Sequence, residues 1–226
     1  MMNQPIFRNR VEAGRVLVSK LGRYANRPDV VVLALPRGGV PVAFEVAKAL
    51  GASLDVFIVR KLGVPGQEEL AFGAIASGGA RVLNENLIRA LHLPETMIEK
   101  ISEREQRELE RREQLYRGGR RAQILKDKTV IVVDDGLATG ATMRAAIKAI
   151  RKQSPMELVV AVPVGSRQTC NEFKHEADVW CICGTTPEPF YGVGMWYEDF
   201  SQTTDKEVIN LLSEAESFGK QIGQAA

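Results

Sequence analysis

The sequence has few cysteines, few aromatic residues and almost no excess charge. Its 226 residues include three cysteines and two histidines, and aromatic residues make up 6% of the chain. The 30 basic residues nearly balance the 28 acidic ones, which leaves a net charge of +2. A nucleic acid or an anionic lipid surface is bound through an excess of Lys and Arg. This balance therefore predicts no nucleic-acid partner.

Long apolar segments are also missing. No apolar run approaches the roughly 20 residues that a membrane-spanning helix needs. The segment MMNQPIFRNRVEAG at the start lacks the basic flank and apolar centre of a secretory signal. These features predict a cytoplasmic protein without a membrane partner. The chain length and a hydrophobic content of 45% suit one α/β domain with a single core.

The three cysteines, Cys170, Cys181 and Cys183, are too few for a disulfide framework. Together with His175 they could supply four zinc ligands, but the Cys-x-x-Cys spacing typical of zinc sites is absent. Cys181 and Cys183 alternate along the apolar segment VWCIC, where a buried cysteine behaves as a small hydrophobic residue. We therefore expect thiols in the core, and a zinc site is the less favoured alternative.

Short β-branched runs alternate with helical segments along the chain. This alternation predicts a parallel sheet that helices cover on both faces. Segment 71–84 is typical of a hairpin that turns at 77–79, with Asn84 as the cap of a following helix. Thr204 and Glu207 form a capping box at the start of the last helix. The predicted parallel strands are 29–35, 54–59, 129–133, 157–162 and 177–182.

A long charged helix is predicted between Pro94 and Gly119. Its acidic and basic residues interleave, which is typical of a solvated face with salt bridges and not of a phosphate-binding stripe. We expect the helix to bury little, because its apolar stripe is thin. An element that protrudes over an active site and a dimer contact both remain open. The stripe consists of Met97, Ile101, Leu109 and Leu115.

The segment TVIVVDDGLATGATMRAA, residues 129–146, runs from a predicted strand into two acids and then into small residues. In an open α/β sheet, ligands bind beyond the carboxyl ends of the strands, where the next helix presents unpaired N–H groups. The small residues at 138–142 let the backbone close around a phosphate. The spacing is not that of a Walker A loop or of a dinucleotide fold. Asp134 and Asp135 would repel a polyphosphate but could bind sugar hydroxyls, so the predicted ligand is a sugar 5-phosphate.

VIVVDDGLATGATM resembles the phosphoribosyl pyrophosphate (PRPP) signature of the type I phosphoribosyltransferases, with four apolar residues, two acids and a loop ending in Thr-Gly-x-Thr. The segment ALPRGGVPVAFEVAKALGA is similar to the pyrophosphate loop of that family. VRKLGVPG is similar to an Arg-Lys segment that some purine enzymes of the family place against pyrophosphate. The resemblance extends from about residue 29 to residue 165.

The resemblance implies one phosphoribosyltransferase-like domain over residues 1–226. Its α/β fold would have a central, mostly parallel sheet of about five strands flanked by helices, within a core at about 29–183. The chain ends would build a small hood, from the N-terminal segment and about 184–203. The charged helix at about 94–119 would be an insertion.

The implied reaction transfers the 5-phosphoribosyl group from PRPP to a nitrogen acceptor, with a nucleobase as the favoured acceptor, and releases pyrophosphate. Mg²⁺ is the implied cofactor, purine salvage the implied context and a homodimer the implied assembly. Two alternatives without turnover stay open: a PRPP-binding regulator and a PRPP-binding interaction domain. The partners expected are PRPP and a small-molecule acceptor.

The resemblance also implies a role for each matching residue. Asp134 and Asp135 would hold the ribose hydroxyls, stabilise the positive charge that grows as pyrophosphate leaves, and reach the metal through PRPP and water. A cis peptide is expected between Pro36 and Arg37, as in family members. The 5-phosphate site would consist of Ala138, Thr139, Gly140, Ala141 and Thr142. The pyrophosphate site would consist of Arg37, Gly38, Gly39, Arg60 and Lys61.

Acceptor recognition is the least defined part of the resemblance. The segment PEPFYGVGMWYEDF, residues 187–200, is loosely similar to the hood of 6-oxopurine enzymes. Phe190, Tyr191 and Trp196 are the candidates for stacking on a base, although aromatic residues near a chain end also anchor termini. Hypoxanthine-guanine enzymes carry a carboxylate where this chain has Ala138, so no proton-transferring residue is assigned there.

Overall fold

The chain alternates strands and helices, and a computed structural model describes residues 4–175 and 179–223. Among the described helices, none combines the length and apolarity needed to cross a membrane. The strands are β1 (Val30–Ala34), β2 (Ser53–Val56), β3 (Val59–Val64), β4 (Gln67–Ala76), β5 (Ala80–Leu83), β6 (Thr129–Val133), β7 (Glu157–Val164) and β8 (Val179–Thr185). The α-helices are α1 (Arg10–Val18), α2 (Gly39–Leu50), α3 (Glu85–Ala90), α4 (Glu95–Arg117), α5 (Ala141–Arg151), α6 (Arg167–Lys174) and α7 (Asp205–Gly223).

Five parallel strands form the central sheet in the order β2-β1-β6-β7-β8. Every residue of β1 and β6 is buried, which explains why both are continuous runs of β-branched and aliphatic residues and do not alternate with polar ones. Helices cover both faces of this sheet. The prediction of a mostly parallel sheet of about five strands flanked by helices is confirmed.

A second, antiparallel sheet contains β3, β4 and β5. The predicted strand 54–59 divides, because the chain leaves the central sheet after Val56 and enters the second sheet at Val59. The predicted hairpin is confirmed, with β4 and β5 joined through residues 77–79. The first two residues of the predicted strand 177–182 lie outside the described residues, and β8 is described from Val179.

Asn84 and Thr204 both cap their helices as predicted, but among the described residues no hydrogen bond from the Thr204 N–H to the Glu207 side chain completes the predicted capping box. The Asn84 side chain accepts a hydrogen bond from the Leu87 N–H at 3.2 Å, which satisfies one of the unpaired donors at the start of α3. The Thr204 hydroxyl accepts from the Glu207 N–H, also at 3.2 Å, and so begins α7.

Helix α4 has the predicted position, but the expectation that it buries little is wrong. Met97 and Leu115, on the predicted apolar stripe, are about one-third exposed, whereas Ile98 and Tyr116 are buried. Charged side chains of α4 are buried as well. Arg117 donates to the Asp55 carboxylate of β2 at 3.0 Å, an ion pair whose disruption from one side costs about 3–5 kcal/mol. The sequence pattern cannot show this, because the partner of Arg117 is 62 residues away.

The expectation of core thiols is wrong for two of the three cysteines. Cys170 of α6 and Cys183 of β8 form a disulfide, and the Sγ of Cys181 lies 3.8 Å from that of Cys183. The helix returns across the edge strand of the sheet and brings Cys170 to the face shared by the other two. His175 lies apart from this group, with its Nδ1 2.7 Å from the Asn171 carbonyl oxygen.

The N-terminal segment and the segment after β8 pack on one another. Phe7 and Tyr197 form a parallel β-bridge, and the Phe7 N–H donates to the Trp196 carbonyl at 3.0 Å. A small hydrophobic cluster joins these three residues to Ala13 of α1 and Val164 of β7. The cluster holds the N-terminal segment and the segment after β8 together at the carboxyl ends of the central strands.

Candidate functional site

The two acids and the glycine loop meet where β1 and β6 end. These strands are neighbours, with Ala34 paired to Val133, so the residues that follow them lie side by side. A Cβ on Gly38 would lie 2.0 Å from Oδ2 of Asp135. Only glycine permits this approach. The predicted pyrophosphate loop therefore packs directly on the acid pair.

The peptide between Pro36 and Arg37 is cis, as expected. The Arg37 guanidinium lies 3.8 Å from Oδ1 of Asp205, the first residue of α7. The same Asp205 oxygen accepts a hydrogen bond from the Tyr116 hydroxyl at 2.6 Å. Burial, with this hydrogen bond as the next cause, raises the pKa of Tyr116 to about 12, so the phenol remains a donor at neutral pH.

The acid pair is electrostatically asymmetric. Burial raises the pKa of Asp134 well above its usual value, and the neighbouring charge of Asp135 raises it further. Burial also raises the pKa of Asp135, but the Arg10 guanidinium opposes that shift. Oδ1 of Asp134 accepts a hydrogen bond from the Asp135 N–H at 2.9 Å. The two carboxyls consequently differ in how readily they carry charge.

Arg10, at the start of α1, is a site residue that the sequence analysis missed. Its Nε donates to Oδ2 of Asp135 at 2.8 Å, and its Nη1 donates to the Ser201 carbonyl at 2.7 Å. The guanidinium lies 3.9 Å from the centroid of the Phe200 ring, within the range of a cation–π contact. The contact with Asp135 spans 125 residues, and no local sequence pattern signals it.

The loop at 138–142 ends at the first turn of α5. Among the described residues, the first backbone N–H of this helix with an acceptor is that of Arg144, which donates to the Gly140 carbonyl at 2.8 Å. The preceding N–H groups of the helix are the donors that an anion can use. Thr139 is exposed and Thr142 is half-buried, so neither hydroxyl is packed away in the sheet.

Gly140 is required at the loop by conformation and by space. Its φ is +75°, in the region that favours glycine. A Cβ there would lie 2.7 Å from Cε2 of Phe173 and 2.8 Å from Cγ2 of Thr169. Thr169 also donates its hydroxyl to the Ala138 carbonyl at 2.6 Å. Helix α6 thus supports the loop from behind.

Arg60 and Lys61, on β3, line a cavity of about 610 Å³ together with Pro36 and Thr142. The structure therefore brings residues from the predicted pyrophosphate segments and from the predicted 5-phosphate loop to one cavity. Helix α4 forms another wall, and Nε of Arg60 donates to the Glu105 carboxylate at 2.8 Å. Glu105 had no role in the sequence prediction of this site, whereas its helix had been left open as an element that protrudes over an active site.

The three aromatic candidates do not share one exposed face. Trp196 is 3% exposed and belongs to the small hydrophobic cluster of the chain ends, whereas Tyr191 is 77% exposed. Phe190 packs against Trp196 in a stacked arrangement, with ring centroids 6.3 Å apart. Phe190 is half-buried, which leaves part of its ring accessible.

Comparison with known proteins gives consistent results. The family model described as "Phosphoribosyl transferase domain" matches residues 6–193. Two curated proteins of Mycobacterium tuberculosis, from strains H37Rv and CDC 1551, are provisionally named as phosphoribosyl transferases. Each is 46% identical to this chain over 210 residues, which is 93% of this chain and 47% of the relative. The chain thus spans about half the length of the curated relatives it matches.

A solved structure shares the fold over nearly the whole chain. The crystal structure of TT1426 from Thermus thermophilus is 40% identical, with a TM-score of 0.79. The match covers 92% of this chain and 98% of that chain. The two proteins therefore share the overall architecture described above.

Proposed function

The chain belongs to the phosphoribosyl transferase domain family, and on this premise we propose that it transfers the 5-phosphoribosyl group of PRPP to a nitrogen acceptor. Pyrophosphate leaves in the same reaction. The observation that carries the proposal is the arrangement at the ends of β1 and β6, where an acid pair, a small-residue loop at a helix start and a cationic cavity adjoin. The acid pair, the loop and the cationic cavity match in chemistry the sugar, the 5-phosphate and the pyrophosphate of PRPP, respectively.

The sugar is held by the acid pair in this proposal. Loss of pyrophosphate from C1 leaves an oxocarbenium-like transition state, so a fixed negative charge near the ribose lowers the barrier. Asp135, whose carboxylate faces Arg10, is the more readily ionised member. Asp134 carries a pKa raised by burial and is suited to hydrogen bonding with a ribose hydroxyl in either protonation state.

The 5-phosphate lies at residues 138–142. The unsatisfied N–H groups at the start of α5 and the positive end of the helix dipole favour a dianion there. The Thr139 and Thr142 hydroxyls add donors. Thr169, through its bond to the Ala138 carbonyl, keeps the loop in place.

The pyrophosphate lies against the residues 37–39 and the cationic wall formed by Arg60 and Lys61. Mg²⁺ fits this donor set, because the site offers carboxylate oxygens and the metal prefers oxygen ligands while keeping several waters. Asp134 and Asp135 would hold the ion through water and PRPP oxygens, and the ion would neutralise charge that develops on the leaving group.

The acceptor is a nitrogen nucleophile, and a nucleobase is the first candidate. Phe190 supports this choice, because its half-buried ring packs against the small hydrophobic cluster that contains Tyr197. The Tyr197 hydroxyl donates to the Asp135 carbonyl at 2.6 Å, which connects that cluster to the reacting centre. Trp196 is proposed as support for Phe190, since its own ring is enclosed.

The experiment that tests this function measures pyrophosphate release from PRPP with Mg²⁺ and a panel of purines, pyrimidines and amines. Release that depends on one acceptor supports the transfer reaction and identifies the substrate. Tight PRPP binding without release for any acceptor would instead support a PRPP-binding regulator. Because the relatives are about twice as long, the assay should be run on the chain described here and on a longer form if one exists.

A further inference from the structure

Helix α4 contacts one of the arginines that we assign to pyrophosphate directly, and it reaches the other through Asp205. We propose that α4 is a positioning element for both arginines of that site, and this inference rests on the proposed function. Glu105 orients Arg60 directly. Tyr116 orients Arg37 through Asp205. The inserted helix then has a role in holding the leaving group, which its sequence pattern does not indicate.

The first contact is between Glu105 and Arg60. Oε2 of Glu105 accepts from Nε of Arg60 at 2.8 Å and also from Nη2. The Glu105 side chain is 8% exposed, and Arg60 is 28% exposed at the cavity. A guanidinium has five N–H donors, so this pairing uses two and leaves three for an anion. Glu105 thus fixes the direction in which Arg60 presents its remaining donors.

The second contact runs from Tyr116 to Arg37. The Tyr116 hydroxyl donates to Oδ1 of Asp205 at 2.6 Å, and Nη1 of Arg37 lies 3.8 Å from the same oxygen. Tyr116 is buried, so its ring cannot move without disturbing the core. The carboxylate of Asp205 is therefore held at a defined distance from Arg37.

Holding an arginine in place before the ligand arrives strengthens binding. A free arginine side chain loses rotamer freedom when it is fixed, and a second residue that fixes it beforehand removes that cost from the binding step. Glu105 and Tyr116 need not touch pyrophosphate for this effect. They are positioning residues, and the arginines make the contacts.

The contact that anchors α4 to the central sheet lies elsewhere on the helix. The buried Arg117–Asp55 pair joins the last turn of α4 to β2, away from the 610 Å³ cavity. Glu105, in contrast, is one of the residues that line this cavity. The helix would remain attached through Arg117 and its apolar side chains if the Glu105 charge were absent.

The test compares two ligands by titration calorimetry: pyrophosphate with Mg²⁺, and ribose 5-phosphate. For Glu105→Gln we expect the Kd of pyrophosphate to rise about tenfold, by analogy with the loss of a residue that orients a ligand-binding side chain. The Kd of ribose 5-phosphate should stay within about twofold, because the loop at 138–142 is untouched. Tyr116→Phe removes one hydroxyl. This change should raise the Kd of pyrophosphate by about threefold and leave that of ribose 5-phosphate unchanged.

Glu110→Gln is the matched control. Glu110 is an exposed residue of α4 and accepts a hydrogen bond from Gln106 of the same helix, so its loss should change neither Kd. Glu105 also pairs with Arg104, which lines the same cavity, so the action through Arg60 is tested in an Arg104→Ala background. There, adding Arg60→Ala should remove the effect of Glu105→Gln on pyrophosphate binding, and this non-additivity distinguishes an action through Arg60 from a general loss of stability.

Several results would overturn the inference. Equal weakening of both ligands by Glu105→Gln would indicate a role in the fold only, and tighter pyrophosphate binding would mean that Glu105 competes with the ligand. If the unaltered chain binds both ligands and neither Glu105→Gln nor Tyr116→Phe changes the Kd of pyrophosphate, the inference is refuted and the proposed function remains intact. If the unaltered chain binds neither ligand, the proposed function fails and the inference fails with it.

Discussion

The Arg10 guanidinium donates to Oδ2 of Asp135 at 2.8 Å, and this contact joins the first helix of the chain to the acid that follows β6. Both side chains are mostly enclosed, at 11% and 15% exposed. The N-terminal segment is therefore part of the candidate site and not a peripheral extension. The Arg10–Asp135 pair also explains why Asp134 and Asp135 differ in pKa, because the guanidinium opposes the effect of burial on Asp135.

Replacing Arg10 by Met should destabilise the fold, because the Asp135 carboxylate would then be enclosed without its counter-ion. We expect the free energy of unfolding to fall by about 3 kcal/mol at neutral pH, measured by urea denaturation. Arg10→Met combined with Asp135→Asn should lose less than Arg10→Met alone, since no uncompensated charge remains. A double variant as unstable as the sum of the two single variants would show that the pair is not coupled.

Replacing Asp134 or Asp135 by Asn should abolish most transfer while the fold survives. Asn has nearly the volume of Asp but no charge, and fixed charge at the reacting centre is a large contribution to catalysis of this kind. We expect pyrophosphate release to fall by about 100-fold or more in each variant. Glu214→Gln, at an exposed position of α7, serves as the control for a lost carboxylate elsewhere. Full activity in the Asp134→Asn, Asp135→Asn double variant would refute the catalytic assignment.

The same Asp134→Asn change should stabilise the unliganded protein at neutral pH. Burial raises the folded-state pKa of Asp134, so the folded protein binds this proton more tightly than the unfolded chain does. The stability that this proton contributes is full below the unfolded-state pKa and is lost as pH rises through the folded-state pKa. Asn cannot titrate and avoids that loss.

The measurement is the free energy of unfolding as a function of pH, without Mg²⁺ or PRPP. Asp134→Asn should be more stable than the unaltered chain at about pH 8, and the difference should shrink as the pH approaches the ordinary Asp pKa of about 4. A difference that grows toward low pH would contradict the raised pKa.

Gly140→Ala should impair the 5-phosphate loop. The new methyl group would meet Phe173 and Thr169, and a φ of +75° costs an L-residue about 1–2 kcal/mol. We expect the Kd of ribose 5-phosphate to rise about tenfold or more as the loop shifts, by titration calorimetry. Gly22→Ala is the control, because a Cβ there would have nothing within 4 Å. Unchanged affinity in Gly140→Ala would mean that the phosphate does not bind at this loop.

Local sequence patterns predicted the elements that depend on local interactions. The β-branched runs of β1 and β6 predicted buried parallel strands, because side chains enclosed on both faces must be apolar throughout. Asn84 and Thr204 predicted helix starts, since a cap acts within three residues. The segment at 138–142 predicted a phosphate-binding loop from local sequence as well, because the N–H donors of such a loop come from its own backbone.

Tertiary structure decided which distant residues meet. The partner of Asp135 is 125 residues away, at Arg10, and the partner of Arg60 is 45 residues away, at Glu105. A helical pattern of mixed charges predicts solvated side chains, and only folding reveals that two of them, Glu105 and Arg117, are enclosed with opposite charges. The sequence by itself therefore determined the buried strands and the helix caps, whereas the fold decided the pairing of charges, because Coulomb interactions depend on distance in space and not on separation along the chain.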